Sequence, residues 1–213
     1  MPPFLCLDGL DGTGKSTQCR LLADWLRAGG HAVTTCIDPG GTPLGGQLRS
    51  LVLHHRPEID RMCEALLFMA SRAQLLAEVI RPALAAGQIV VSDRFLLANV
   101  VYQGHAGGLD VERLWEIGRF AASDLEPDLT VVLDLPLEQA ALRRGRPTDR
   151  IESRDAEYHA RLRHGFLAEA RRRPERIRVV DASAAVEIVQ EAIHREVSSI
   201  LGIGASLDLP AIG

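Results

Sequence analysis

The chain has 213 residues, of which 46% are hydrophobic and 24% charged, and its formal net charge is −4. That length suits one α/β domain, which buries roughly 70% of its unfolded surface and needs no disulfide or metal staple. The acidic balance speaks against a broad basic face for nucleic acid, and no apolar run approaches the ~20 residues that cross a bilayer.

Short β-rich apolar runs alternate with longer helical patterns, the arrangement of βαβ units around a parallel sheet. A first strand is predicted over Phe4 to Leu7, with no basic and apolar leader before it, so a cytoplasmic protein is expected. A Gly-rich turn follows, then an amphipathic helix from Lys15 to Ala28 that stops at Gly29-Gly30. His31 to Ile37 reads as the second strand. A Pro- and Gly-rich loop leads into a helix containing Leu48, Leu51 and Val52. Ile59 to Ala86 reads as one long, mostly apolar helix, buried or at a subunit contact. Gln88 to Ser92, Leu129 to Leu133 and Arg176 to Val180 are further strands, and Ala184 to Leu201 is a closing helix. The tail from about residue 202 lacks periodicity and is expected to fray. With no repeat and no linker, the chain reads as one domain over 1–213. The four cysteines (Cys6, Cys19, Cys36 and Cys63) lack ligand or redox spacing and read as buried, reduced thiols.

Residues 9 to 17, GLDGTGKST, satisfy the phosphate-cradle pattern GxxxxGK[ST] between a predicted strand and a predicted helix. Gly9, Gly12 and Gly14 let backbone N–H groups turn onto phosphate oxygens, together with Asp11, Thr13 and Thr17 of the same turn. Lys15 can reach β- and γ-phosphates, the Ser16 hydroxyl can ligate magnesium, and the helix aims its positive end at the anion. A chance Gly-rich turn is the alternative, and the strand–turn–helix context argues against it. The chain has no NKxD guanine-reading sequence, and VVLDLP at 131 to 136 has no adjacent Glu to activate water; its Asp134 reads simply as a strand end. Transfer to a bound acceptor is therefore favoured over hydrolysis.

The ordered series DGLDGTGKST, LLFMASR (66 to 72), SDRF (92 to 95), VYQG (101 to 104), PDLTVVLDLP (127 to 136) and DRIE (149 to 152) resembles the thymidylate kinase family from about Phe4 to Ser183. The resemblance implies a P-loop nucleoside monophosphate kinase fold, a five-stranded parallel sheet flanked by helices with an Arg-rich lid, and transfer of a phosphoryl group from magnesium ATP to dTMP. It implies that Phe68 stacks on thymine and Arg72 contacts its carbonyl edge. On residue chemistry alone, the pair shares a helix face, and Phe68 as core with Arg72 paired to Glu64 or Glu78 stands equally open. It further implies that Arg94 and Arg49 hold the acceptor phosphate, that Asp93 organises magnesium through water, and that Asp11 accepts from the deoxyribose 3′-hydroxyl. Tyr102 would crowd a ribose 2′-hydroxyl, and Gln103 would lie near the base. A homodimer through long apolar helices is also implied.

The cradle carries Gly12-Thr13 where it could have carried an arginine, so positive charge for the transferred group must come from elsewhere. Arg143, Arg144, Arg146, Arg150 and Arg154 crowd into residues 143–154, with Gly145 and Pro147 breaking the helical pattern as a hinged lid requires. Arg146 and Arg150 are the favoured catalytic pair, with Arg143 a third candidate; a solvated basic face is the plain alternative. The sequence departs from the family in two places. Ile37-Asp38-Pro39-Gly40-Gly41 stands where Arg-Glu-Pro-Gly-Gly is usual, so Asp38 can replace a carboxylate but Ile37 cannot replace an arginine. Ala98-Asn99 replaces a pair of serines, leaving Asn99 to donate or accept near the base. Competing readings are a kinase for another monophosphate or a deoxynucleoside, a P-loop regulatory protein, and a DNA-coupled ATPase. The last lacks both a basic track and a water-activating Glu.

Overall fold

The computed structural model describes residues 2–55, 58–144, 149, 151 and 154–202. Five strands form one all-parallel sheet in the order β2-β3-β1-β4-β5. The inner strands are β1 (Phe4–Gly9), β3 (Ile89–Asp93) and β4 (Leu129–Asp134), each almost wholly buried. Their continuous apolar runs follow from helices covering both faces. The edge strands β2 (Val33–Ile37) and β5 (Ile177–Asp181) are half exposed. β1 runs two residues beyond its predicted end, because Asp8 and Gly9 still pair with Val132 and Leu133. The fold class and all five strands match the sequence expectation.

Helix α1 (Lys15–Ala28) occupies its predicted span and ends at Gly29. α2 (Pro43–His54) starts at Thr42, whose hydroxyl accepts from the Gly45 N–H at 2.9 Å, with Pro43 preset for the first turn. The predicted long helix is α3 (Arg61–Leu75), a π-helical turn (Leu76–Ile80) and α4 (Arg81–Ala85), joined end to end. Asp60 caps it through Met62 N and Cys63 N. Past β3 come α5 (Leu96–Asn99), a second π turn (Val100–His105) and α6 (Val111–Ala121). α7 (Leu137–Arg144) and α8 (Ala156–Arg172) precede β5, and α9 (Val186–Leu201) closes the layer.

The C-terminal ends of β1, β2 and β3 open together, where a parallel α/β sheet holds ligands. Asp134 does end a strand: Arg163 grips both its oxygens, at 2.7 and 2.8 Å. The cysteines need a correction. All four are free, but Cys63 is exposed and Cys36 half-buried, because α3 opens at a solvated turn and β2 is an edge. His105 bonds buried Glu169 at 2.8 Å. Among the described residues, no helix is long and apolar enough to cross a membrane.

Candidate active site

A cavity of about 380 Å³ lies over the strand ends, lined by the cradle on one side and by α3, α5 and the second π turn on the other. The cradle is the β1–α1 turn. Gly9 sits at φ 132°, and a Cβ there would lie 2.5 Å from the Leu133 carbonyl oxygen. No side chain fits between β1 and β4 at that point. Gly14, at φ 91°, caps α1 in the left-handed region with open space around it. Lys15 is buried and donates to the Leu10 carbonyl at 2.7 Å, with Asp11 3.7 Å away. Burial lowers its pKa, and the neighbouring Arg94 charge pushes the same way. The Thr13 hydroxyl also returns to the Leu10 carbonyl, at 2.9 Å, closing the turn.

Arg94 joins the cradle to the rest of the cavity. It follows β3 with φ 69°, a strained setting for a side chain of this kind and one that clusters at functional sites. Its guanidinium donates to Asp8 Oδ1 at 3.0 Å, to Gly9 O at 2.9 Å, to Asp11 Oδ1 at 2.5 Å and to the Tyr102 hydroxyl at 3.0 Å. It also lies over the Tyr102 ring, 5.0 Å from the centroid. Tyr102 donates to the other Asp11 oxygen at 3.0 Å. Burial alone would raise the Asp11 pKa, but the Arg94 and Lys15 charges and the Tyr102 hydroxyl outweigh it and hold the carboxyl well below the usual range. Asp8 is different. It is fully buried, and burial prevails over Arg94 and the Gly9 N–H to push its carboxyl up to about 6.

Beside the cradle, the Ser16 hydroxyl donates to Asp93 Oδ2 at 2.6 Å, and both residues line the cavity. Two hard oxygen donors next to a phosphate turn suit magnesium, which takes few protein ligands and completes its shell with water and phosphate. Among the described residues no cluster of three or more His, Cys, Asp or Glu could hold a metal ion.

The opposite wall is buried and polar. Phe68 and Arg72 share one face of α3 and both line the cavity. Arg72 pairs with neither Glu64 nor Glu78. Its Nε donates to Asp38 Oδ2 at 2.6 Å, its Nη1 to Asn99 Oδ1 at 3.1 Å and its Nη2 to the Phe95 carbonyl at 3.4 Å. Asp38 is enclosed; burial raises its pKa, with Arg72 pulling against it, and among the described residues its Oδ1 has no hydrogen-bond partner. An orphan acceptor at a cavity wall is a place for a ligand donor. Arg49 donates to the Pro39 carbonyl at 2.8 Å and reaches the cavity beside exposed Ile37.

The predicted residues Asp11, Gly12, Gly14, Lys15, Ser16, Thr17, Asp38, Arg49, Phe68, Arg72, Asp93, Arg94, Asn99, Tyr102 and Gln103 therefore border one space. Gly9 and Thr13 stand behind it and shape the cradle. Arg146 and Arg150 lie outside the described residues, as do Gly145 and Pro147. Arg143 is a correction: it donates to the carbonyls of Ala182 and Ser183, anchoring α7 to the turn after β5, and does not line the cavity. Asp8, and the contact between Glu64 and Arg154, were missed. Asp8 could have been found as the carboxylate at a strand end beside the cradle. Glu64 falls on the helical spacing 64, 68, 72, which aligns it with Phe68 and Arg72.

Comparison with known proteins places this geometry. The family model described as "Thymidylate kinase" matches residues 7–193. Thymidylate kinase from Rhodopirellula baltica is 47% identical over 190 residues, covering 89% of this chain and 78% of the relative. The enzyme from Symbiobacterium thermophilum is 45% identical over 203 residues, covering 94% of this chain and 95% of the relative. The crystal structure of thymidylate kinase from Ehrlichia chaffeensis superposes with a TM-score of 0.75 at 29% identity, covering 94% of this chain and 98% of that one.

Proposed function

The chain belongs to the thymidylate kinase family, and we propose on that premise that it transfers the γ-phosphoryl group of ATP to dTMP, giving ADP and dTDP. The observation that carries the reading is the continuity of the cavity: a phosphate cradle, Arg94 and a wall of Phe68, Arg72 and Asn99 line one space. An acceptor phosphate oxygen attacks the γ-phosphorus in line, the bond to the β-bridging oxygen breaks, and the charge leaves with ADP. The acceptor phosphate is already a nucleophile, so catalysis consists mainly of positioning and charge neutralisation.

Lys15 leaves the Leu10 carbonyl for the β- and γ-phosphate oxygens. Arg94 holds the acceptor phosphate with Arg49, and the Asp8, Asp11 and Tyr102 contacts fix its fork beforehand. Asp11 stays ionised and accepts from the sugar hydroxyl, while Tyr102 limits space beside the sugar. Phe68 stacks on the base; Arg72, Asn99 and Gln103 read its edge. Ser16, and Asp93 through water, would hold magnesium, which would supply positive charge against the phosphates. Arg146 and Arg150 remain the proposed source of positive charge for the transferred group. We read residues 1–213 as one kinase unit that works as a homodimer. Exposed Met62 and Leu66 on α3 and Ile117 and Phe120 on neighbouring α6 support the pairing face; a monomeric mass by light scattering would overturn it.

The test is ADP release with magnesium ATP and, in turn, no acceptor, dTMP, dUMP, dCMP, dGMP and thymidine. Release chiefly with dTMP is expected. Preference for another monophosphate would make Ile37 and Asn99 specificity changes, and release independent of acceptor would overturn the kinase reading.

A further inference from the structure

A row of buried polar groups runs from the base wall back to Glu64, which does not itself border the cavity. Arg72 donates to Asn99 Oδ1 at 3.1 Å, Asn99 Nδ2 donates to Gln103 Oε1 at 2.7 Å, and Gln103 Nε2 donates to Glu64 Oε1 at 2.8 Å. Arg154, the last arginine of the 143–154 cluster, donates to Glu64 Oε2 at 3.2 Å and lies 4.5 Å from the Tyr158 ring centroid. Arg72, Asn99, Gln103 and Glu64 are each no more than 2% exposed. Asn99 and Gln103 stand four apart on adjoining helical turns, which aligns their amides.

An amide can be turned either way unless its neighbours choose. Here the ends choose. A guanidinium only donates and an ionised carboxylate only accepts, so Arg72 requires the Asn99 oxygen and Glu64 requires the Gln103 nitrogen. The two requirements agree, and every donor in the row points from Arg72 toward Glu64. The cavity consequently meets guanidinium donors beside an amide oxygen at the Arg72–Asn99 junction. Thymine and uracil present a carbonyl acceptor next to an N–H donor, which complements that junction. Cytosine presents an amino donor next to a ring-nitrogen acceptor, the reverse order.

We infer that Glu64 is a specificity-determining positioning residue: by fixing the polarity of the Asn99–Gln103 amide row it makes the base wall accept thymine-type edges and reject cytosine-type edges. This rests on the dTMP kinase reading and deepens it. An amide at position 64 would offer its oxygen to Arg154 and its N–H₂ to Gln103. That ordering would turn both amides and set an Asn99 N–H₂ against Arg72.

The experiment compares kcat/KM for dTMP, dUMP and dCMP in the parent protein, E64Q and E64Q/Q103E. E64Q is expected to raise the dCMP to dTMP ratio about tenfold, the scale of one hydrogen bond exchanged for a mismatch, and to leave the dUMP to dTMP ratio within about twofold. E64Q/Q103E restores a carboxylate acceptor for Asn99 and returns the dCMP ratio toward the parent value. If E64Q folds poorly, Q103K, whose ammonium donates to Glu64 and claims the Asn99 oxygen from the far side, gives a shift in the same direction. Equal losses on all three substrates, or an unchanged dCMP ratio in a folded variant, would overturn the inference. A parent protein inactive on dTMP would instead strike the kinase reading itself.

Discussion

The two ends of the cavity are built on opposite plans. The cradle end is contiguous in sequence: one turn between β1 and α1 supplies backbone amides, Lys15 and Ser16, and only Asp93 and Arg94 arrive from elsewhere. The base end has no contiguous part. Asp38 follows β2, Arg72 sits on α3, Asn99 ends α5 and Gln103 lies in a π turn, yet all four share one hydrogen-bonded row. The cradle binds what every nucleotide has in common, which a short stretch of backbone can do. The base end must distinguish one ring from another, which takes several side chains held in a fixed donor and acceptor order.

That contrast can be broken most sharply at Lys15. K15A is expected to lower kcat on the order of 10³-fold while dTMP binding by calorimetry changes little; loss of dTMP binding would mean the ends are not separable. R72M attacks the other end and leaves Asp38 buried without its cation. A stability loss of about 3–5 kcal/mol in urea unfolding is expected, with dTMP KM raised and ATP KM nearly constant. D8N probes the charge beneath the cradle. The folded Asp8 carboxyl titrates near 6 against an ordinary 3.8, so between those values the folded state holds a proton that the unfolded chain has lost. Stability from this group therefore falls as pH rises from about 4 to about 6. Relative to the parent, D8N should gain on the order of 3 kcal/mol across that window, read from melting curves at each pH. Y102F is the mildest change: removing the hydroxyl between Asp11 and Arg94 should cost about 1 kcal/mol, a roughly fivefold drop in kcat/KM for dTMP.

The same contrast explains what could be read from the sequence. The strands were legible because their apolar runs are bounded by Gly, Pro and Asp, and the cradle because its spacing is a local pattern. Phe68 and Arg72 were legible as neighbours through helical period. The partner of Arg72 was not, because Asp38 lies 34 residues away and the nearer carboxylates Glu64 and Glu78 were equally plausible by spacing. Helices α5 to α8 went unplaced. α5 is four residues long and passes straight into a π turn, too short to show a period. α8 carries Tyr158, Leu162, Phe166 and Ala170 at intervals of four beneath a heavily charged surface, a stripe that charge counting obscured.

The strand order has a consequence for how the molecule is made. β1 lies in the middle of the sheet, with Phe4 paired to Val90 and Leu5 to Leu129. β1, made before the other four strands of the sheet, therefore has no neighbour until about 85 residues later, and its second flank only after about 125. The phosphate turn attached to it cannot be seated until both have emerged, which places nucleotide binding late in synthesis. A nascent chain stalled before β4 should carry the whole GLDGTGKST motif and still fail to hold ATP.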